Sequence, residues 1–200
     1  MTTILHINSS ARTNGTANQL AGTFVSEWTA QHPDHRIVQR NLTIDPIPHL
    51  AEETINAFFT PAEQRTEAQR EAVRLSDELI AELFAADVIV IGVPMYNFGI
   101  PSTLKAYFDH IARAGITFRY TSNGAEGLVK GKKAYIVAAR GGVYSGTPAD
   151  TQTAYLKTFL GFIGVTDVTF IYAEGLNLGE EAKARGEEQA QRCIRELAAA

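Results

Sequence analysis

The sequence predicts an α/β protein built on a doubly wound, five-stranded parallel sheet in the order 2-1-3-4-5, with one hairpin inserted. Two observations carry this. Val88 to Val93 contains only β-branched residues and Gly92, with no charge, as expected of a central parallel strand buried on both faces. Around it, short apolar runs alternate with amphipathic stretches through the whole chain, which reads as repeated strand and helix.

Ile4, Leu5 and Ile7 make the first strand, ending at Asn8. The next ten residues, Ser9 to Asn18, supply hydroxyls, amides and Gly15 before a helix over Thr16 to Gln31. A strand, a polar loop and a helix N-terminus form an anion site, because unpaired N–H groups and the helix dipole both favour negative charge. The same residues also fit a plain helix cap and turn without a ligand. Leu20, Phe24 and Trp28 recur every fourth residue, so this helix turns one apolar stripe to the sheet and Trp28 is core. Arg36 to Leu42 is an outer strand.

Thr43 to Pro61, with Pro46, Pro48 and the pair Phe58 and Phe59, is too long for a tight connection; it is either a short helical excursion or a flap packed on a partner. Glu63 to Ala86 is a long helix leading to the central strand. Pro94 to Ile100 is a loop hung off that strand's carboxyl end, where open α/β sheets bind ligands, and Pro101 opens the next helix. Tyr96 and Phe98 flank Asn97 in that loop, a composition that suits a flat ring with polar edges, although the two aromatics could equally fold onto the core.

Ser102 to Arg113 is a helix with Leu104, Tyr107, Phe108 and Ile111 inward, and with Lys105, Asp109 and a surface His110 on its wetter side. Ala114 to Thr121 alternates like a strand before the turn pair Asn123-Gly124. Ala134 to Ala139 is a second buried strand. It ends in Arg140, Gly141, Gly142, Val143 and Tyr144, where consecutive glycines admit close approach and Arg140 adds positive potential. Thr151 to Ile163 is a helix, Val168 to Ala173 a strand, and Gly179 to Leu197 a closing helix bearing an inert Cys193.

The composition excludes several classes. A chain of 200 residues with net charge −4 favours a single domain over 1–200 and gives no electrostatic footprint for nucleic acid. One cysteine excludes an internal disulfide and thiolate metal clusters. Met1 to Asn8 has no basic leader and no stretch approaches bilayer length, so the expectation is a cytoplasmic protein without a membrane partner. Neither G-x-G-x-x-G nor a P-loop is present, and no G-x-S-x-G supports a hydrolase.

Pro94-Met95-Tyr96-Asn97-Phe98, then Ile100-Pro101 and Leu104-Lys105, resembles the flavin-contacting loop of the FMN-dependent NADH azoreductases, also described as NADH:quinone oxidoreductases, a flavodoxin-like family. Thr117-Phe118-Arg119-Tyr120 and Leu160 to Asp167 resemble that family as well, and the likeness runs nearly the full length. It implies a homodimer with active sites at the interface, bound FMN, NADH or NADPH as donor, and a quinone, azo or nitroaromatic acceptor. It further implies that Phe118 and Tyr120 shape the substrate pocket with Phe98, and that Phe162 lies over the neighbouring subunit's pocket. An edge hairpin with paired aromatics and ordinary core packing are the respective alternatives.

Three loops then converge on one rim: Ser10, Gly15, Thr16 and Ala17 for a phosphate, Met95, Tyr96, Asn97 and Phe98 for a ring, and Ala139, Arg140, Gly141, Gly142 and Tyr144 for the ring's far edge. FMN, a phosphate joined to a planar hydrogen-bonding ring, satisfies all three. N–H groups of Tyr96 to Phe98 are expected at the flavin N5/O4 edge, and the Arg140 to Gly142 loop is expected to stabilise negative charge at the pyrimidine end. One stacked substrate at a time implies ping-pong turnover. The sequence departs from the family in its hydroxyl-poor Gly15-Thr16-Ala17, in Ala139, and in Tyr144 where an imidazole is familiar. The rival function is a flavodoxin-type electron carrier without NADH oxidation of its own.

Overall fold

A computed structural model describes residues 1–199. Its five-stranded parallel sheet is formed by β1 (Thr2–Asn8), β2 (His35–Asn41), β3 (Val88–Pro94), β6 (Lys133–Ala139) and β7 (Asp167–Ala173) in the order β2-β1-β3-β6-β7, which is the expected 2-1-3-4-5 arrangement. The inserted hairpin is β4 (Phe118–Thr121) paired antiparallel with β5 (Gly124–Gly127). It is shorter than the sequence predicts, because Gly115 takes a left-handed φ of 81° and turns the chain before Phe118.

Period-two alternation along the strands divides the core into two layers. Leu5, Ile7, Ile89, Ile91 and Ile136 face α3 (Glu67–Ala85), α4 (Ser102–Ile111) and α5 (Thr151–Ile163). Ile4, Val88, Val90 and Val137 face α1 (Thr16–Gln31) and α6 (Glu180–Ala198), where Phe24 and Trp28 are buried as expected. Gly92 sets the site's depth: a Cβ there would lie 2.8 Å from the Ala17 carbonyl oxygen, so only glycine lets the start of α1 rest on the central strand.

The excursion after β2 takes the helical alternative, as α2 (Glu52–Phe59). α3 begins later than predicted because Thr66 and Gln69 form a capping box at its start. His110 corrects the sequence expectation. Its side chain is buried, Nε2 donates to the Pro48 carbonyl at 3.0 Å, and burial lowers its pKa. Just past α4, Arg113 lies over the Phe58 ring at 4.7 Å and pairs with Asp77 of α3, so His110 and Arg113 together pin the excursion. No helix among the described residues is long and apolar enough to cross a membrane.

Candidate active site

At the carboxyl edge of the sheet, two clefts of about 390 and 250 Å³ share Met95, Gly141 and Asn177 and run together as one groove. Ser10, Gly15, Thr16, Ala17, Tyr96, Ala139 and Arg140 line the first; Asn97, Phe98 and Tyr144 line the second. Of the residues expected to hold the cofactor only Gly142 stays off the groove, covered by the Tyr144 ring.

One end is an anion cradle. The Ser9 hydroxyl donates to the Gly92 carbonyl of the central strand at 2.6 Å, and the Thr43 hydroxyl donates to the Ser10 carbonyl at 2.6 Å, which ties the loop to β3 and occupies the Ser10 carbonyl. Gly15 caps α1 with no side-chain bond, leaving the first-turn N–H groups of Thr16 and Ala17 open to a ligand. A Cβ on Gly15 would sit 2.3 Å from Ser10 Oγ, so the glycine keeps that hydroxyl in place. Arg12 and Lys183 also line this end, and neither has a carboxylate partner among the described residues. The hydroxyl-poor loop is therefore supplemented by two cations, one of them from α6.

The other end is a strained turn. The Tyr96 N–H donates to the Gly99 carbonyl at 3.1 Å and the Gly99 N–H returns a bond to the Tyr96 carbonyl at 2.9 Å, closing a tight reversal. Asn97 (φ 49°) and Phe98 (φ 66°) occupy its centre in the left-handed region, which costs a non-glycine residue about 1 kcal/mol or more. Among the described residues the N–H groups of Asn97 and Phe98 have no partner. Tyr96 is thus removed from the expected N–H donors; its hydroxyl instead reaches the loop before α1, accepting from the Ala11 N–H at 3.2 Å.

Arg140 also needs correction. Its fully buried guanidinium donates to Glu174 at 3.0 Å, Asp150 at 2.9 Å, Thr153 Oγ1 at 2.8 Å and Gln152 Oε1 at 3.2 Å, and it stacks on Tyr172. Two carboxylates cancel its charge, so only its main chain borders the groove and it offers no positive potential there. Burial alone would raise the Asp150 carboxyl, but Arg140 and Thr153 together outweigh this and hold it below the ordinary carboxylate value. Glu174 Oε1 also accepts from the Tyr144 and Ser145 N–H groups, each at 2.9 Å, fixing the third loop.

Phe118, Tyr120 and Phe162 do not reach this groove. Phe118 is buried 4.3 Å from the Phe162 ring and 5.6 Å from Tyr120, while Phe98 meets Tyr144 at 5.7 Å. The aromatics expected at the substrate pocket therefore fall in two separate clusters within one chain. Sequence reasoning missed Arg12, Gln152, Glu174, Asn177 and Lys183. Lys183 carries no signal of this placement in the sequence, where Glu180 and Glu187 lie at helical pairing distance from it.

Fold and groove together define a flavodoxin-like protein. A family model described as flavodoxin-like fold matches residues 2–197, and the chain belongs to that family. Among its relatives, the FMN-dependent NADH:quinone oxidoreductase 6 of Burkholderia lata is 60% identical over 185 residues, 92% of this chain and 93% of the relative. An azoreductase structure from Bacillus anthracis str. Sterne superposes with TM-score 0.87 at 31% identity, covering 98% of this chain and 100% of the other. A structure titled FMN-dependent NADH-azoreductase in complex with FMN, from Bacillus anthracis str. Ames Ancestor, gives TM-score 0.87 at 26% identity, covering 99% and 100%.

Proposed function

We propose that residues 1–200 act as one FMN-binding domain and that the protein is an FMN-dependent NADH:quinone oxidoreductase with azoreductase activity. The observation that carries this is the continuous groove, with phosphate donors at α1 and unpaired N–H groups at Asn97 and Phe98. When bound, FMN supplies the redox chemistry: it takes two electrons and a proton from NADH or NADPH and, with one proton from solvent, reduces a quinone to the hydroquinone.

The chain binds and orients. Ser10 Oγ, the Thr16 and Ala17 N–H groups, Arg12 and Lys183 hold the phosphate end; Met95 and Gly141 border the middle; Asn97 and Phe98 donate at the ring edge. Exposed Phe98 and Tyr120 lie in different clusters, and a second copy that brings its Phe118, Tyr120 and Phe162 cluster over the first copy's Phe98 would join them; this supports a homodimer. Such a pocket holds one planar substrate over the ring, quinone, azo compound or nitroaromatic in turn after the nicotinamide, which supports ping-pong turnover.

The test is steady-state oxidation of NADH by the purified protein with a quinone as sole acceptor. Parallel double-reciprocal lines are expected. A protein that binds FMN but oxidises no NADH would be an electron carrier instead.

A further inference from the structure

We propose that Gln152, at the start of α5, is a positioning residue that sets the ring-edge donors, an inference that rests on the FMN reading above. Its side chain is fully buried and makes three hydrogen bonds. Nε2 donates to the Pro94 carbonyl at 3.0 Å and to the Gly99 carbonyl at 3.2 Å, while Oε1 accepts from Arg140 Nε at 3.2 Å. Beside it, the Thr151 hydroxyl donates to the Phe98 carbonyl at 2.5 Å.

These contacts fall on both sides of the strained pair. Asn97 and Phe98 hold left-handed φ angles that non-glycine residues adopt only where the surroundings over-determine them. The turn's own two bonds close it but do not anchor it to the fold. Met95 and Tyr96 hold the turn's first limb to Ala139 and Ala11, while Gln152 and Thr151 anchor it from the α5 side, holding the carbonyls of Pro94, Phe98 and Gly99 and so presenting the Asn97 and Phe98 N–H groups to the groove.

The amide cannot rotate to reverse these roles, because Arg140 must find an acceptor and the two carbonyls must find donors. Arg140 in turn carries the constraint onward. Its partner Glu174 accepts from the Tyr144 and Ser145 N–H groups, so one buried chain of bonds fixes the ring-end turn and the third loop in a common register. An isosteric carboxylate at position 152 would keep the arginine contact and lose both donations.

The experiment compares wild type, Gln152→Leu, Gln152→Glu and Thr151→Val as FMN-loaded proteins. It reads FMN dissociation constant, visible flavin band position, NADH KM, and flavin reduction rate at saturating NADH. The proposal expects Gln152→Leu and Gln152→Glu to keep the FMN dissociation constant within about threefold, since the phosphate end is untouched. The reduction rate should fall about tenfold or more with NADH KM unchanged, as when a preorganised donor is misplaced. The flavin band should move toward that of free FMN. Thr151→Val, at an exposed position, should shift the same readouts in the same direction by less.

Lower thermal stability in Gln152→Leu with unchanged band and reduction rate would reduce Gln152 to a structural residue and overturn the proposal. If that variant does not fold, unchanged readouts in Gln152→Glu, which loses both donations, overturn it equally. Wild type that takes up no FMN would instead bring down the functional reading itself.

Discussion

At the α1 end of the groove most donors come from one short local loop, joined only by Lys183 from α6; at the Asn97 and Phe98 end the donors are held by side chains from far along the chain. Ser10, Gly15, Thr16 and Ala17 lie within one turn and its helix start, where the helix geometry leaves N–H groups open without help. The ring end depends on Thr151 and Gln152, 53 residues from their partners in the turn, and through Gln152 on Arg140 and Glu174. A phosphate tolerates several donor arrangements around a spherical charge. A flat ring requires donors at fixed points on its edge, so this end needs an imposed geometry.

The largest effect separating the two ends is expected at Arg140. Replacing it with Met leaves the carboxylates of Asp150 and Glu174, 8% and 13% exposed, without their cation, and should cost about 3 kcal/mol in chemical denaturation. Gly15→Val attacks the opposite end. Its Cβ would displace Ser10 Oγ, and FMN affinity measured by fluorescence quenching should fall roughly a hundredfold, about 2.7 kcal/mol, while thermal stability changes little.

Lys183→Ala should weaken FMN about fivefold and leave riboflavin binding unchanged, because the lysine is placed to read only the phosphate. Equal losses for both flavins would remove Lys183 from the phosphate end.

Acid should loosen the ring end by way of Asp150. Its folded pKa lies below the reference value of 3.8, so its contribution is complete above that pH and is lost as pH falls through the lower folded value. Thermal melts across this range should show a smaller acid-dependent loss in Asp150→Asn, which retains a good N-cap for α5. The smallest effect is expected for Asn97→Gly, which relieves a left-handed φ of 49° and should leave stability unchanged or raise it by about 0.5 kcal/mol.

The same contrast explains what the sequence could disclose. The succession of strands and helices, both core faces and the polar loop before α1 follow from local periodicity, turn residues and helix starts, which are short-range signals. His110 appeared wet because its place on the α4 stripe gave no hint that Pro48, 62 residues earlier, would fold over it. Arg140 appeared free because its partners Asp150 and Glu174 are distributed over a turn and a strand end. Gln152 looked like any polar residue in the first turn of a helix. Charge compensation and buried hydrogen bonds between distant residues leave no periodic trace, so the ring-end supports emerged only with the fold.

The most direct measurement is the visible spectrum of the purified protein after saturation with FMN and removal of excess. Equimolar flavin absorbance, released as FMN on denaturation and not retained when riboflavin replaces FMN, is the expected result. A colourless protein after the same treatment, or one that keeps riboflavin as well as FMN, would contradict a groove built around a phosphate at α1 and a flat ring at Asn97 and Phe98.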